Sequence, residues 1–195
     1  MSVTSDEAIL VATAAAETPT TGGAAISAVS WGAIIAGAVA ASAATIVLLT
    51  LGSGLGLAAA APFGRTPSMA AFGSMIAIWL VLTEWIASAL GGYVTGRLRT
   101  RWHGTNPHEV FFRDTVHGFL AWAVAAIVAA VVFGPALASA TANSADAVAA
   151  ANADPDAVRK AASAFSIVSA LAMAIGAFIA SITAALAGHE RDQHP

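Results

Sequence analysis

Residues 27–61 read SAVSWGAIIAGAVAASAATIVLLTLGSGLGLAAAA, a stretch without a charged side chain. A helix needs about 20 mostly apolar residues to cross the hydrocarbon core of a bilayer. Trp31 lies near the start of the stretch, where aromatic residues of membrane helices often meet the lipid head groups. We therefore predict a transmembrane helix over about residues 27–58.

Three further stretches satisfy the same criterion, at about residues 68–95, 115–140 and 160–187. Together the four predict an all-α fold, an integral membrane four-helix bundle that covers residues 27–188. The interior of the second stretch contains one charge, Glu84.

The composition agrees with a membrane location and narrows the function. Of the 195 residues, 58% are hydrophobic and 10% are charged, whereas an average soluble domain is about 25% charged. Lys and Arg number 8 in all, too few for a basic surface that binds nucleic acid. Cysteine is absent, which excludes disulfide bonds and thiol catalysis.

The two ends of the chain are predicted to be tails. Residues 1–26 contain no Lys or Arg, so they lack the basic region with which a signal peptide begins. We expect a flexible N-terminal tail there and a short C-terminal tail over residues 189–195.

Local signals mark several helix ends. Pro135 is expected to kink or end the third helix, and Asp114 can cap the start of that helix. Asp154 is expected to cap the fourth helix, with Pro155 in its first turn and Gly188 as its stop.

Basic residues near the helix ends orient the chain through the positive-inside rule. Five lie between the second and third helices or after the fourth: Arg97, Arg99, Arg101, Arg113 and Arg191. Three lie on the opposite side: Arg65, Arg159 and Lys160. We predict that both termini and the central loop face the cytoplasm.

Small residues at four-residue spacing are expected to hold the helices together. Lipid provides no hydrophobic drive for association, so close backbone packing has to provide much of it. Chance matches are also common in a chain so rich in Ala and Gly. The candidate packing residues are Gly32, Gly37, Gly52, Gly54, Gly56, Gly92, Gly96 and Gly176.

Four segments resemble a group of small proteobacterial membrane proteins, some of them labelled "PhnA-like". The segments are VSWGAIIAG at 29–37, LGSGLGL at 51–57, GGYVTGRL at 91–98 and DTVHG at 114–118. The resemblance covers about the first three helices and implies a four-helix protein of the bacterial inner membrane, without implying an activity. Glu84 departs from the apolar or small residues found there in the group.

Glu84 is the sharpest functional candidate in the sequence. An ionisable group within a membrane helix is costly unless it is paired, protonated or hydrated, and by default it marks a functional site. It can carry a proton, bind a cation, contact a partner subunit, or donate a hydrogen bond when it is protonated. Thr50, Thr83 and Ser88 are the neighbours predicted to help satisfy it.

A second group of candidates lies on the predicted cytoplasmic side. Asp114 and His117 are three residues apart and share one face of the third helix, a spacing that suits two metal ligands. The simpler interpretation, a cap and an interfacial histidine, predicts no metal. A basic cluster is expected to anchor the second helix at the interface or to bind anionic lipid head groups: Arg97, Arg99, Arg101 and Trp102.

The function predicted from the sequence is that of a non-enzymatic inner-membrane protein without a cofactor. No nucleophile and base pair is expected at membrane depth. The leading hypothesis is an accessory or structural subunit that packs against itself or a larger membrane complex through its small-residue faces. The alternative is a small channel or a proton or cation carrier that uses Glu84.

Overall fold

A computed structural model of the chain describes residues 27–60, 69–102, 104–150 and 154–193. It contains four helices, α1 (Trp31–Ala60), α2 (Met69–Leu98), α3 (Pro107–Ala150) and α4 (Pro155–Gln193). The described residues form no strand, and each helix is long and apolar enough to cross a membrane. The predicted all-α membrane bundle is therefore confirmed, and the chain is a multi-pass membrane protein.

The chain runs up and down, so that α1 begins where α2 ends. This end of the bundle, which we call the Arg99 end, is closed by contacts between distant residues. The Ser30 and Thr100 hydroxyls lie 3.0 Å apart, and Arg99 Nη2 donates to Asp192 Oδ2 at 2.7 Å. Within the described chain α2 and α3 each contact the other three helices, whereas α1 and α4 do not touch.

The apolar part of the core consists of small side chains, and most of the large apolar side chains point outward. Apart from Ile34, every buried apolar residue among those described is an alanine. Val39, Ile127 and Phe178 are exposed, as are most of the other large apolar residues. In a bilayer this arrangement is stable, because lipid accepts the large side chains and small ones let the helix backbones approach.

Five of the eight predicted glycines lie at close contacts between residues: Gly37, Gly52, Gly92, Gly96 and Gly176. A Cβ at Gly96 would lie 3.0 Å from the Ala184 Cα on α4. The others would meet Thr95, Trp79, Ala180 and Glu84 respectively. At Gly92 and Gly96 the nearest atom belongs to the backbone of α4, which leaves no room for a side chain there.

The other three predicted glycines do not pack inside the chain. A Cβ at Gly32, Gly54 or Gly56 would meet nothing within 4 Å among the described residues. These three therefore make no close contact with the other described helices, and a packing role for them against another chain stays a prediction. Sequence spacing overlooked three glycines that do make close contacts: Gly91, Gly118 and Gly188.

The ends of α3 differ from prediction. The helix continues through Pro135 to Ala150, so the proline does not end it; membrane helices tolerate proline when nearby groups satisfy the freed carbonyl. Its start lies at Pro107, where Asn106 Oδ1 accepts a hydrogen bond from the His108 N–H at 2.9 Å. Asn106 therefore caps α3, and the predicted cap by Asp114 is wrong.

The start of α4 follows prediction, but its end does not. Asp154 Oδ1 accepts a hydrogen bond from the Asp156 N–H at 3.0 Å, so Asp154 caps the helix as predicted. The helix continues past Gly188 to Gln193, because Gly188 packs against Asp114 instead of ending the helix. The predicted N-terminal tail and the turn that holds Arg65 lie outside the described residues.

Candidate functional site

Glu84 lies near the middle of α2, about 20 Å along the helix axis from either end at 1.5 Å per residue. A carboxylate at this depth is far from both aqueous phases, and its charge is costly without a counterion or water. The side chain turns toward the interior of the bundle, where it meets residues of α3 and α4.

One oxygen of the Glu84 carboxyl group receives both of its hydrogen bonds. Trp122 Nε1 donates to Oε1 at 3.0 Å, and the Ser88 hydroxyl donates to the same oxygen across 3.4 Å. The other oxygen, Oε2, receives no hydrogen bond from the residues that the structure describes. The group is thus held in place but only half satisfied.

A glycine of α4 makes room for this carboxyl group. A Cβ at Gly176 would lie 2.7 Å from Glu84 Oε1 and 2.9 Å from the Ser88 hydroxyl oxygen. Gly176, predicted as a packing residue, therefore lets α4 approach Glu84 itself.

A cavity of about 340 Å³ adjoins Glu84 between α1, α2 and α3, and Met173 of α4 also lines it. Its polar wall consists of Glu84 and three hydroxyl side chains, those of Ser42, Thr45 and Ser88. The opposite wall is formed by apolar residues of α3, from Ala125 to Phe133. The cavity can hold a guest beside the carboxyl group, with oxygen atoms on one side and hydrocarbon on the other.

The predicted partners of Glu84 are only partly those observed. Ser88 contacts it, but Thr50 donates to the Ile46 carbonyl at 2.8 Å instead. The buried Thr83 hydroxyl has no hydrogen-bond partner among the described residues. The shorter of the two hydrogen bonds comes from Trp122, which was not among the predicted partners, since no local pattern connects two residues so far apart in sequence.

The Arg99 end holds a buried ionic cluster that the sequence did not reveal. The Arg99 side chain is 0% exposed and that of Asp114 is 2% exposed. Arg99 Nη2 donates to Asp114 Oδ2 at 2.7 Å and to Asp192 Oδ2 at 2.7 Å, while Arg99 Nε pairs with Asp114 Oδ1. The guanidinium group therefore joins the end of α2 to α3 and α4, and its prediction as a lipid anchor is wrong.

His117 ties the start of α1 to α3 within the same end. Its Nε2 accepts a hydrogen bond from the Ser30 N–H at 2.8 Å, so the proton of a neutral ring lies on Nδ1. Nδ1 then donates to the Arg113 carbonyl at 2.6 Å. The predicted pair of Asp114 and His117 is thus buried on one face, but each residue has its own partners. Among the described residues no three candidate ligands surround a common metal position.

The other three residues of the predicted interfacial cluster differ in their exposure and in their contacts. Arg97 is exposed, and Arg101 Nη2 donates to the Arg191 carbonyl at 2.9 Å. Trp102 is half-buried, and its ring lies 4.9 Å from the Arg113 guanidinium carbon in a cation–π contact. Trp102 therefore packs against Arg113 and meets His117 edge-on, with 6.3 Å between the ring centroids, and its predicted anchor role stays a prediction.

Comparison with protein-family models, with curated proteins and with solved structures finds no match to this chain. The resemblance to the proteobacterial group stays a prediction. The function has to follow from the geometry of the two polar sites, the Glu84 cavity and the ionic cluster.

Proposed function

We propose that this chain is a non-enzymatic membrane protein that binds a proton or a small cation at Glu84 and carries it through the bundle. One observation supports this above all. Glu84 lies near the middle of α2 beside a cavity of about 340 Å³, with Oε2 unpaired among the described residues.

The half-satisfied carboxyl group favours a role in carrying a proton or cation rather than a purely structural role. Buried polar groups that only hold helices together normally have all their hydrogen-bonding atoms paired. Both carboxylate oxygens of Asp114, by contrast, meet Arg99 in the same chain: Oδ2 accepts a hydrogen bond from Nη2 at 2.7 Å and Oδ1 forms an ion pair with Nε. Glu84 instead keeps one oxygen for a guest, and a bound proton or cation offsets the cost of its charge at this depth.

Flux measurements on proteoliposomes test the proposal. Purified protein is reconstituted, a membrane potential is imposed, and the entry of protons, of radioactive sodium and of radioactive methylammonium is recorded separately. We expect Glu84→Gln to abolish the flux, whereas Glu190→Gln, the same change at an exposed position of α4, retains it. Wild-type flux no greater than that of empty liposomes, or full flux in Glu84→Gln, would overturn the proposal.

We further propose that the protein lies in a bacterial inner membrane with the Arg99 end in the cytoplasm. More of the basic residues lie toward that end than toward the start of α4. The chain has no cysteine, so single cysteines report topology cleanly. An impermeant maleimide applied to intact spheroplasts should label Ala157→Cys at once and Gln193→Cys only after lysis. The reverse labelling pattern would contradict the proposed orientation and would place the Arg99 end outside the cytoplasm.

An accessory subunit is the second candidate, and one observation favours it. Gly54 has open space where its Cβ would lie, and it lines a surface groove on α1 together with Thr50 and Leu51, so a neighbouring protein can approach the α1 backbone there. Gly54→Leu should then release a partner or a second copy, detected as a lower native mass after mild solubilisation. Gly73→Leu, at another open glycine, is the matched control. An unchanged mass in both variants would count against this candidate.

A further inference from the structure

The lining of the Glu84 cavity is more apolar than a site for a proton or a metal ion requires. About 340 Å³ of space is many times the roughly 30 Å³ that one water molecule occupies in the liquid. It lies within the range of about 300–1,000 Å³ that small-molecule pockets span. The α3 wall, which includes Ala125, Ala129 and Phe133, offers a guest only hydrocarbon and aromatic contacts. A guest that fills this space needs an apolar part.

The charge of the cavity sets the charge of its guest. Glu84 is the one charged side chain among the described residues that line it. No described Lys, Arg or His side chain lines the cavity to neutralise the carboxylate. A guest with a single positive charge therefore balances the site, whereas an anion or a dication leaves an uncompensated charge in a medium of low dielectric constant.

The hydroxyl groups of the cavity present acceptors rather than donors. Each hydroxyl has one hydrogen to donate, and all three are already used. Ser42 donates to the Ala38 carbonyl at 2.9 Å, Thr45 donates to the Ala41 carbonyl at 3.0 Å, and Ser88 donates to Glu84. What remains are oxygen lone pairs, which suit the N–H donors of a primary ammonium group.

From these three features we infer that the cavity binds an organic monocation, a primary alkylammonium or arylalkylammonium compound. Its ammonium group pairs with Glu84 Oε2 and the hydroxyl oxygens, and its apolar part lies against α3. The inference rests on the proposed function and names the class of cation that the site takes.

Equilibrium binding of radioactive phenethylammonium to the purified protein in nanodiscs tests the inference. We expect saturable binding that weakens by about tenfold or more in Glu84→Gln and is retained in Glu190→Gln. Phenethyl alcohol, which keeps the apolar part and lacks the charge, should not compete. Ala129→Leu should also weaken binding, because it fills the apolar side of the cavity.

The outcomes separate this inference from the proposal on which it rests. Flux of protons or sodium ions that depends on Glu84, without binding of the amine, overturns the inference and leaves the carrier function standing. Amine binding that Ala129→Leu does not change, or that phenethyl alcohol blocks, also overturns it. If the wild-type protein shows neither ion flux nor amine binding, both proposals are overturned.

Discussion

Replacing Asp114 with Asn removes the anion that neutralises the buried Arg99 guanidinium group. The two side chains are 2% and 0% exposed, so water does not screen their interaction. Breaking such a pair from one side costs about 3–5 kcal/mol, since the remaining charge stays buried. Asp192 still accepts from Arg99 Nη2 at 2.7 Å, and we therefore expect a loss near the lower end, about 3 kcal/mol.

Two more exposed carboxylates serve as comparisons for the loss of stability expected in Asp114→Asn. The Asp192 side chain is 33% exposed, so Asp192→Asn should cost only about 1 kcal/mol after solvent screening. Asp156 pairs with Arg159 on the surface, where the two side chains are 67% and 79% exposed. Asp156→Asn should therefore change the stability by no more than about 0.5 kcal/mol.

The assay is reversible unfolding in mixed micelles of a mild detergent and dodecyl sulfate, followed by tryptophan fluorescence. The free energy of unfolding is compared among the wild type and the three variants. A loss below about 1 kcal/mol for Asp114→Asn would refute the reasoning, because it would mean that Arg99 is hydrated or otherwise compensated. So would a cost for Asp192→Asn as large as that for Asp114→Asn.

Three other predictions can be checked by related measurements. Gly96→Ala should destabilise the bundle by about 1–3 kcal/mol, because its Cβ would lie 2.9 Å from a backbone atom of α4. Gly54→Ala, in open space, should be neutral or stabilising by up to about 1 kcal/mol. A larger loss of stability in Gly54→Ala than in Gly96→Ala would contradict the packing. Trp122→Phe removes the N–H that reaches Glu84 Oε1 and should cost about 1–3 kcal/mol, a loss expected to shrink in the Glu84→Gln background. Asp154→Ala should cost about 1 kcal/mol through loss of the cap and speed amide hydrogen exchange in the first turn of α4, and unchanged exchange there would argue against the cap.

Features that depend only on residues close together in the sequence could be predicted without the structure. The four membrane helices follow from uninterrupted apolar stretches, and the Asp154 cap follows from its place just before Pro155. The central depth of Glu84 follows from its position within an apolar stretch. Each of these depends on length or on spacing along the chain, which the tertiary structure does not alter.

Contacts between helices could not be predicted in the same way. Gly37 packs against Thr95 and Gly91, whereas Gly32 on the same helix faces open space. Both satisfy the same small-residue rule, but the rotation of α1 about its axis decides which one meets α2. That rotation is set by the packing of all four helices together, so a local pattern does not contain it.

The sequence by itself determined that this protein lies in a membrane as four helices with one carboxyl group at mid-depth, because apolar length and the cost of a buried charge are properties of single segments. Only the tertiary structure decided that Arg99 meets Asp114 and Asp192, and that Trp122 meets Glu84 beside a cavity. These partners lie on different helices, and side chains come within hydrogen-bonding distance only once the register and rotation of each helix are set by packing.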